Sequence, residues 1–366
     1  MSNLDHITIR GFRSIRDAKK LELRPVNIVI GANGAGKSNF IETFDFLRSI
    51  REGRLQEYVI KNGGADKLLF FGAKETQVLV VKISFDEEQN QYEIKMTSDS
   101  RDRLIPVAEA GFFWDKARYD RPYKAEIDIQ GEEAGISGKQ KAKTVGHHVS
   151  EQLKLWRRYH FHDTGANSPM KKTASLHDNR YLRSDGSNIA AFLYLLKSKH
   201  IESYSLIRKA VQRVAPFFDD FELEPMALNK EKIQLVWKHQ RSEEFFDASA
   251  LSDGTLRFVG LATLFLQPEV FRPSVILVDE PELGLHPYAI GLLASLLKQV
   301  SHETQVIAAT QSPVLLDYFE PDDVIVSDQI QGETRFRRLE LDELRLWLEE
   351  YSLGQLWEKN QLGARP

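Results

Sequence analysis

Eight consecutive residues, Gly31-Ala32-Asn33-Gly34-Ala35-Gly36-Lys37-Ser38, satisfy the spacing G-x-x-x-x-G-K-[ST] without exception. Glycine at these positions lets backbone N–H groups turn inward around a chain of phosphates, where a Cβ would obstruct the approach. Lys37 supplies a point charge for the terminal phosphates, and the Ser38 hydroxyl is an oxygen ligand of the kind Mg²⁺ prefers. Asn33, Gly34, Ala35, Gly36, Lys37, Ser38 and Asn39 are the expected nucleotide contacts, with ATP and Mg²⁺ as the expected cofactors. Far downstream, Val275-Ile276-Leu277-Val278-Asp279-Glu280 is an uninterrupted apolar run that ends in two adjacent carboxylates. Asp279 there would hold Mg²⁺ through water, and Glu280 would polarise the attacking water. A lone Asp-Glu after a strand is usually a solvated turn. In tandem with the glycine loop it describes nucleotide hydrolysis.

The elements that must position these residues are also legible. The apolar run 25–30 leads directly into the glycine loop, and Phe40, Ile41, Phe44, Leu47 and Ile50 follow at helical spacing. The order is therefore strand, loop, helix, with the loop at a helix N-terminus whose dipole favours anions. Further strands are expected at 4–12, 78–83, 92–96, 305–309 and 323–326. Helical periodicity covers 188–214, and a charged amphipathic helix is expected over 339–351. The stretch 131–146 is rich in Gly, Lys and Glu and reads as a mobile loop. Neither an internal repeat nor a sustained heptad pattern is present.

Composition narrows the class. Among 366 residues, 42% are hydrophobic and 28% charged, the balance of a globular protein. The sequence has no cysteine, which removes disulfides and thiolate-bound zinc and fits a reducing compartment. Because no apolar run reaches membrane-spanning length and no basic-then-apolar leader opens the sequence, a soluble cytoplasmic protein without membrane contact is expected. The net charge of −4 is unevenly spread. Residues 136–183 carry ten Lys/Arg against three Asp/Glu, whereas 216–366 carry 26 acidic against 13 basic residues. The basic middle is either a nucleic-acid patch or a solvated insert.

A third feature chooses among phosphate-loop enzymes. Leu251-Ser252-Asp253-Gly254-Thr255 resembles the signature motif of ABC-type ATPases, with Asp253 and Thr255 in place of the commoner glycine and glutamine. Glu280-Pro281-Glu282-Leu283-Gly284-Leu285-His286-Pro287 is similar to that family's catalytic glutamate and dimer-contact loop. The opening Ile9-Arg10-Gly11-Phe12-Arg13-Ser14-Ile15 resembles that of RecF- and SMC-like ATPases, the branch that also contains OLD-family ATPase domains. The resemblance implies an α/β fold: a P-loop NTPase of ABC-type head architecture, with a mixed β-sheet and a helical insert lobe. SMC-type relatives carry long arms, but the residues between Ser38 and Leu251 lack heptads, so no coiled-coil arm is expected. It also implies a head-to-tail dimer, in which Ser252 and Gly254 of one copy reach the γ-phosphate held by the other. Expected lobes are 1–130 (phosphate loop), 131–215 (basic loop and helical insert), 216–338 (signature and acidic strand) and 339–366 (C-terminal helix and tail).

Departures from the family pattern matter. Ala309-Thr310-Gln311-Ser312-Pro313 stands where many relatives place His before Ser-Pro, so Gln311 can donate to the γ-phosphate but carries no charge. No clear metal-loop glutamine is present; His162 or Asp163 could substitute, with Asp163 the candidate metal ligand. The resemblance points to an ATP-gated switch acting with a separately encoded effector, such as a TOPRIM-type nuclease of a bacterial antiphage system. The rivals are a RecF-like repair protein that meets DNA through the basic insert, and a scaffold that binds ATP without turnover.

Overall fold

The loose alternation at the start of the chain forms β1 (Leu4–Phe12), which reverses through Arg13 and Ser14 into β2 (Ile15–Glu22). A third strand, β3 (Val26–Ile30), is buried along its whole length and runs into the glycine loop. In this computed structural model, which describes residues 3–363, the chain forms two compact units. One comprises Met1–Arg157 with Glu320–Pro366, and the other Arg158–Phe319.

In the first unit, β4 (Leu79–Phe85), β5 (Asn90–Ser98), β6 (Leu104–Phe113) and β7 (Tyr123–Glu126) extend the hairpin into an antiparallel sheet of order β2-β1-β4-β5-β6-β7. Helix α1 (Lys37–Arg51) buries Phe40, Ile41, Phe44, Leu47 and Ile50, the stripe read from the sequence. Phe46 on the same helix stacks on Phe12 at 5.2 Å, and Phe40 lies 5.2 Å from Phe336. Each such buried side chain contributes about 1.5–3 kcal/mol, so the helix that follows the glycine loop is fixed by its core face. Strand β3 pairs parallel with Val324–Ile330, with Ile28 opposite Val324 and Ile30 opposite Val326. That strand in turn pairs antiparallel with Glu333–Arg338. Both ends of the glycine loop are thereby anchored.

Two segments differ from expectation. The stretch 131–146 contains a 3₁₀ turn, Gly135–Ser137, whose Ile136 is buried. Its backbone N–H groups at Gly135 and Ile136 donate to the Glu109 carboxylate at 2.6 and 2.8 Å, and Tyr92 donates to the same group at 2.9 Å. Burial raises the Glu109 pKa, while these three donors oppose the rise. The expected helix over 339–351 is instead a single turn, Leu341–Leu344, and a 3₁₀ turn, Trp347–Glu349. The apolar stripe of that expected helix is Leu341, Leu344, Leu348 and Tyr351; of its first two residues Leu344 is buried and Leu341 exposed, and Leu346 is 79% exposed. Glu349 and Glu350 would sit at the negative end of the longer helix, where acidic residues are unfavourable.

A new helix, Leu353–Glu358, starts at Ser352 through a reciprocal cap with Gln355. It buries Leu353, Leu356 and Trp357, and Leu362 is buried beyond it, so these apolar residues fold back onto the body. Trp357→Ala is expected to cost about 3–5 kcal/mol, measured as a lowered urea midpoint with an unchanged slope. An unmoved midpoint would show that this segment lies outside the cooperative core.

The second unit is α/β. Strands Val275–Asp279 and Gln305–Thr310 run parallel, with Asp279 opposite Ala309, and helix Pro287–Ser301 connects them. Helices Ile189–Lys199 and Ile201–Val214 account for the expected helical stretch. Helix Asp253–Leu266 is buried at every residue from Thr255 onward, Arg257 included. A three-stranded antiparallel sheet, Phe218–Glu222, Val236–His239 and Phe245–Asp247, completes the unit. Among the described residues no helix is long and apolar enough to cross a membrane.

Candidate nucleotide site

The glycine loop is built to stay open. Gly36 caps α1 with φ +96°, and a Cβ on it would lie 2.1 Å from the Thr334 hydroxyl. Any other residue there would be strained and would displace Thr334. Lys37 is only 6% exposed, and its ammonium donates to the carbonyls of Gly31 at 2.6 Å and Ala32 at 2.9 Å. It is held inside the loop, within reach of the position a phosphate would take. Asn33 and Gly34 form the exposed crest, Ala35 is buried, and Ser38 is an exposed residue in the first turn of α1. The Ser327 hydroxyl donates to the Ala35 carbonyl at 2.7 Å.

Asn39 makes a contact the sequence did not suggest. Its amide donates to Ser14 Oγ at 2.6 Å, and Ser14 Oγ lies 2.7 Å from Thr334 Oγ1. Ser14, Thr334 and Ser327 therefore buttress the loop. Ser14 belongs to the quoted opening motif. Thr334 and Ser327, about 300 residues along the chain from the loop, carry no local signal.

In the second unit the structure brings several sequence-identified residues together. Asp279 ends the acidic strand with a mostly buried side chain, and Arg158 places a guanidinium nitrogen 3.4 Å from its carboxylate. Glu280 follows with φ +42°, an uncommon conformation for a non-glycine residue, stabilised in part by its N–H donating to Ala309 O at 2.8 Å. Its carboxylate accepts a hydrogen bond from the Gln311 side-chain amide. Glu280 and Gln311, 31 residues apart, are thus direct partners.

His162 lines a small space with Arg257, Asp279 and Glu280. Partial desolvation, reinforced by Arg257, lowers the His162 pKa, while Asp279 and Glu280 pull the other way. The Arg257 guanidinium donates to the carbonyls of Phe161 and His162 at 3.0 Å each and so fixes this bend. Asp163 is exposed, and its carbonyl accepts from the Ser168 hydroxyl at 2.5 Å. Among the described residues no group of three or more acidic or histidine side chains is arranged as a metal cluster. Oxygen donors of the Ser38 and Asp279 type suit a Mg²⁺ ion that keeps most of its waters.

Ser252 caps helix Asp253–Leu266: its exposed Oγ accepts from Thr255 N–H at 3.2 Å. A Cβ on Gly254 would lie 2.4 Å from the Gly284 carbonyl, so glycine allows the helix start to touch the loop after Glu280. The basic stretch is less available than its composition suggests. Arg158 faces Asp279, Arg157 donates to Lys154 and Trp156 carbonyls, and Lys171 donates to Thr164 O.

Strand, phosphate loop and helix in this order, with a serine-capped helix preceding the acidic strand, agree with the matches that follow, which make this a RecF/SMC-like ABC-type P-loop ATPase. The sequence profile of the family described as "AAA domain, putative AbiEii toxin, Type IV TA system" matches residues 26–317, and the chain belongs to that family. It is 31% identical over 137 residues to structural maintenance of chromosomes protein 3 of Dictyostelium discoideum, covering 36% of this chain and 9% of that protein. It is 32% identical over 111 residues to the DNA replication and repair protein RecF of Shewanella denitrificans, covering 29% of this chain and 30% of that one. The chain thus spans less than a third of either relative. Its fold is that of the SMC head solved bound to the C-winged helix domain of ScpA, with a TM-score of 0.60 and 16% identity. That match covers 94% of this chain and 99% of the other.

Proposed function

We propose that this chain is an ATP-gated dimeric switch. ATP lies in the cradle formed by residues 33–39. Lys37 would meet the terminal phosphates, and Ser38 and, through water, Asp279 would hold Mg²⁺. The ion's contribution is to neutralise phosphate charge. Glu280 orients the attacking water, and Gln311 is the polar group beside it. The observation that carries this reading is the direct Glu280–Gln311 hydrogen bond at the end of the acidic strand.

In the dimer, Ser252 and Gly254 of one copy meet the γ-phosphate held by the other; a hydroxyl and backbone N–H groups at the start of a 14-residue helix suit an anion. The family description, which names a toxin of a type IV toxin–antitoxin system, supports a switch read by a separately encoded protein. Within that class we favour an antiphage system whose effector is a nuclease. The RecF relatives support the alternative of a repair ATPase on DNA. With Arg157, Arg158 and Lys171 engaged internally, the exposed Lys139, Lys141, Lys143, Lys172 and Arg180 are among the cations for it.

Complementation tests the trans arrangement. Ser252→Arg and Lys37→Ala chains are each expected to be inactive. Mixed in equal amounts, they regain about a quarter of wild-type turnover, because half of the dimers then contain one intact composite site. Absence of any recovery at concentrations where the dimer forms would refute the head-to-tail arrangement.

A further inference from the structure

Glu282 is a carboxylate that the ATPase reading does not use. It lies in the loop between the acidic strand and helix Pro287–Ser301, yet it is only 8% exposed. A leucine or methionine would fill such a place without the desolvation penalty of a carboxyl group. Its presence calls for a polar partner, and the structure supplies one.

Glu282 Oε1 accepts from the Thr310 hydroxyl and, at 3.4 Å, from the Gln311 backbone N–H. The other oxygen, Oε2, is buried without a hydrogen-bond partner among the described residues. Thr310 Oγ1 accepts from Ser312 N–H at 2.9 Å. That occupies one face of the hydroxyl oxygen and directs its single proton towards Glu282. Ser312 Oγ in turn caps the next helical turn by accepting from Leu315 N–H at 3.1 Å. The turn 310–312 is therefore gripped on its backbone and hydroxyl side by Glu282, while the Gln311 side chain is left to reach Glu280.

We propose that Glu282 is a positioning residue for ATP turnover: it locks the 310–312 turn so that the Gln311 amide is presented to Glu280. This rests on the reading of Glu280 as the residue that orients water. Burial and the nearby Glu280 charge raise the Glu282 pKa, against the donors from Thr310 and Gln311. A glutamine amide oxygen can accept from Thr310 and Gln311 as Oε1 does. Glutamine is consequently the conservative replacement and leucine the disruptive one.

The experiment measures ATP turnover of the full chain with Mg²⁺, together with thermal melting. Glu282→Leu is expected to lower kcat at least about tenfold with KM nearly unchanged, the mark of an interaction that matters after binding. Thr310→Val, which removes the hydroxyl with little change of volume, should show the same split and keeps the test open if Glu282→Leu does not fold. Glu282→Gln should remain within about threefold of wild type. In a Gln311→Ala background Glu282→Leu should cause no further fall, because a residue acting through Gln311 has nothing left to position.

Wild-type kcat in both Glu282→Leu and Thr310→Val overturns the proposal, and so does a full additional loss in the Gln311→Ala background. Glu280→Gln, assayed alongside, separates the two levels. Wild-type turnover there removes the reading beneath the proposal. Collapse there with unaffected Glu282 and Thr310 variants removes the proposal alone.

Discussion

Lys37→Ala is expected to weaken ATP binding at least about a hundredfold, the scale of losing a charge-assisted contact to phosphate in a partly desolvated site. The lysine is the cation inside the phosphate loop, and its ammonium already lies between two loop carbonyls, 2.6 and 2.9 Å away. Moving from those carbonyls to phosphate oxygens exchanges neutral acceptors for anionic ones, so the gain is specific to the nucleotide. Alanine keeps the backbone N–H groups and the helix start, which alone hold the anion weakly. The fold should survive. Ala32 is only partly buried, so water can satisfy its released carbonyl, and α1 remains fixed through Phe40, Phe44 and Leu47. Titration calorimetry with ATP and a melting curve decide the matter: unchanged affinity removes the assignment of the loop. A large drop in melting temperature would instead mean that the lysine supports the fold.

The candidate site was legible where its residues are neighbours in sequence. The glycine loop, the acidic strand end and Ser252 each announce themselves through residue type and spacing within a few positions, and the apolar stripe of α1 gave the helix that follows the loop. Gln311 was recognised from its Ser-Pro context. Its partnership with Glu280 was not, because that contact depends on how two parallel strands are registered, with Asp279 opposite Ala309. The supports of the phosphate loop were invisible for the same reason. Thr334 and Ser327 come from a strand pair near the far end of the chain, and nothing in their neighbourhood marks them. Glu282 was read as part of a contact loop, since burial of a carboxylate cannot be seen in one dimension.

The C-terminal segment shows a local signal that periodicity overrode. Ser352-Leu353-Gly354-Gln355 is a capping-box pattern, and it starts the helix that carries Leu356 and Trp357 into the core. Reading the stripe of Leu341, Leu344, Leu348 and Tyr351 as one helix ignored both that start signal and the acidic pair just before it. The stretch 131–146 failed in the opposite sense. Its polar composition suggested mobility, but Glu109, a strand residue, ties its turn down.

Glu280→Gln is expected to bind ATP with wild-type affinity and to hydrolyse it at least about a hundredfold more slowly, the loss typical of removing a positioned general base. Glutamine occupies the same volume and retains an oxygen that can accept from the Gln311 amide, so the turn from Thr310 to Ser312 keeps its hydrogen bond to residue 280. What disappears is the negative charge that draws a proton from water. The backbone should tolerate the change, because at φ +42° the residue's own N–H bond to Ala309 is kept and glutamine can still accept from Gln311. With binding intact and turnover blocked, the ATP-bound form accumulates. If two copies close around ATP, size-exclusion chromatography of Glu280→Gln with ATP and Mg²⁺ should show a dimer that Lys37→Ala does not form. Wild-type turnover in Glu280→Gln would transfer the role of base to another group, with His162 the first to test because it lines the same small space and its lowered pKa favours the neutral, proton-accepting ring. Undetectable turnover in the wild-type chain itself, with ATP bound, would mark the chain as a scaffold that only reads the nucleotide.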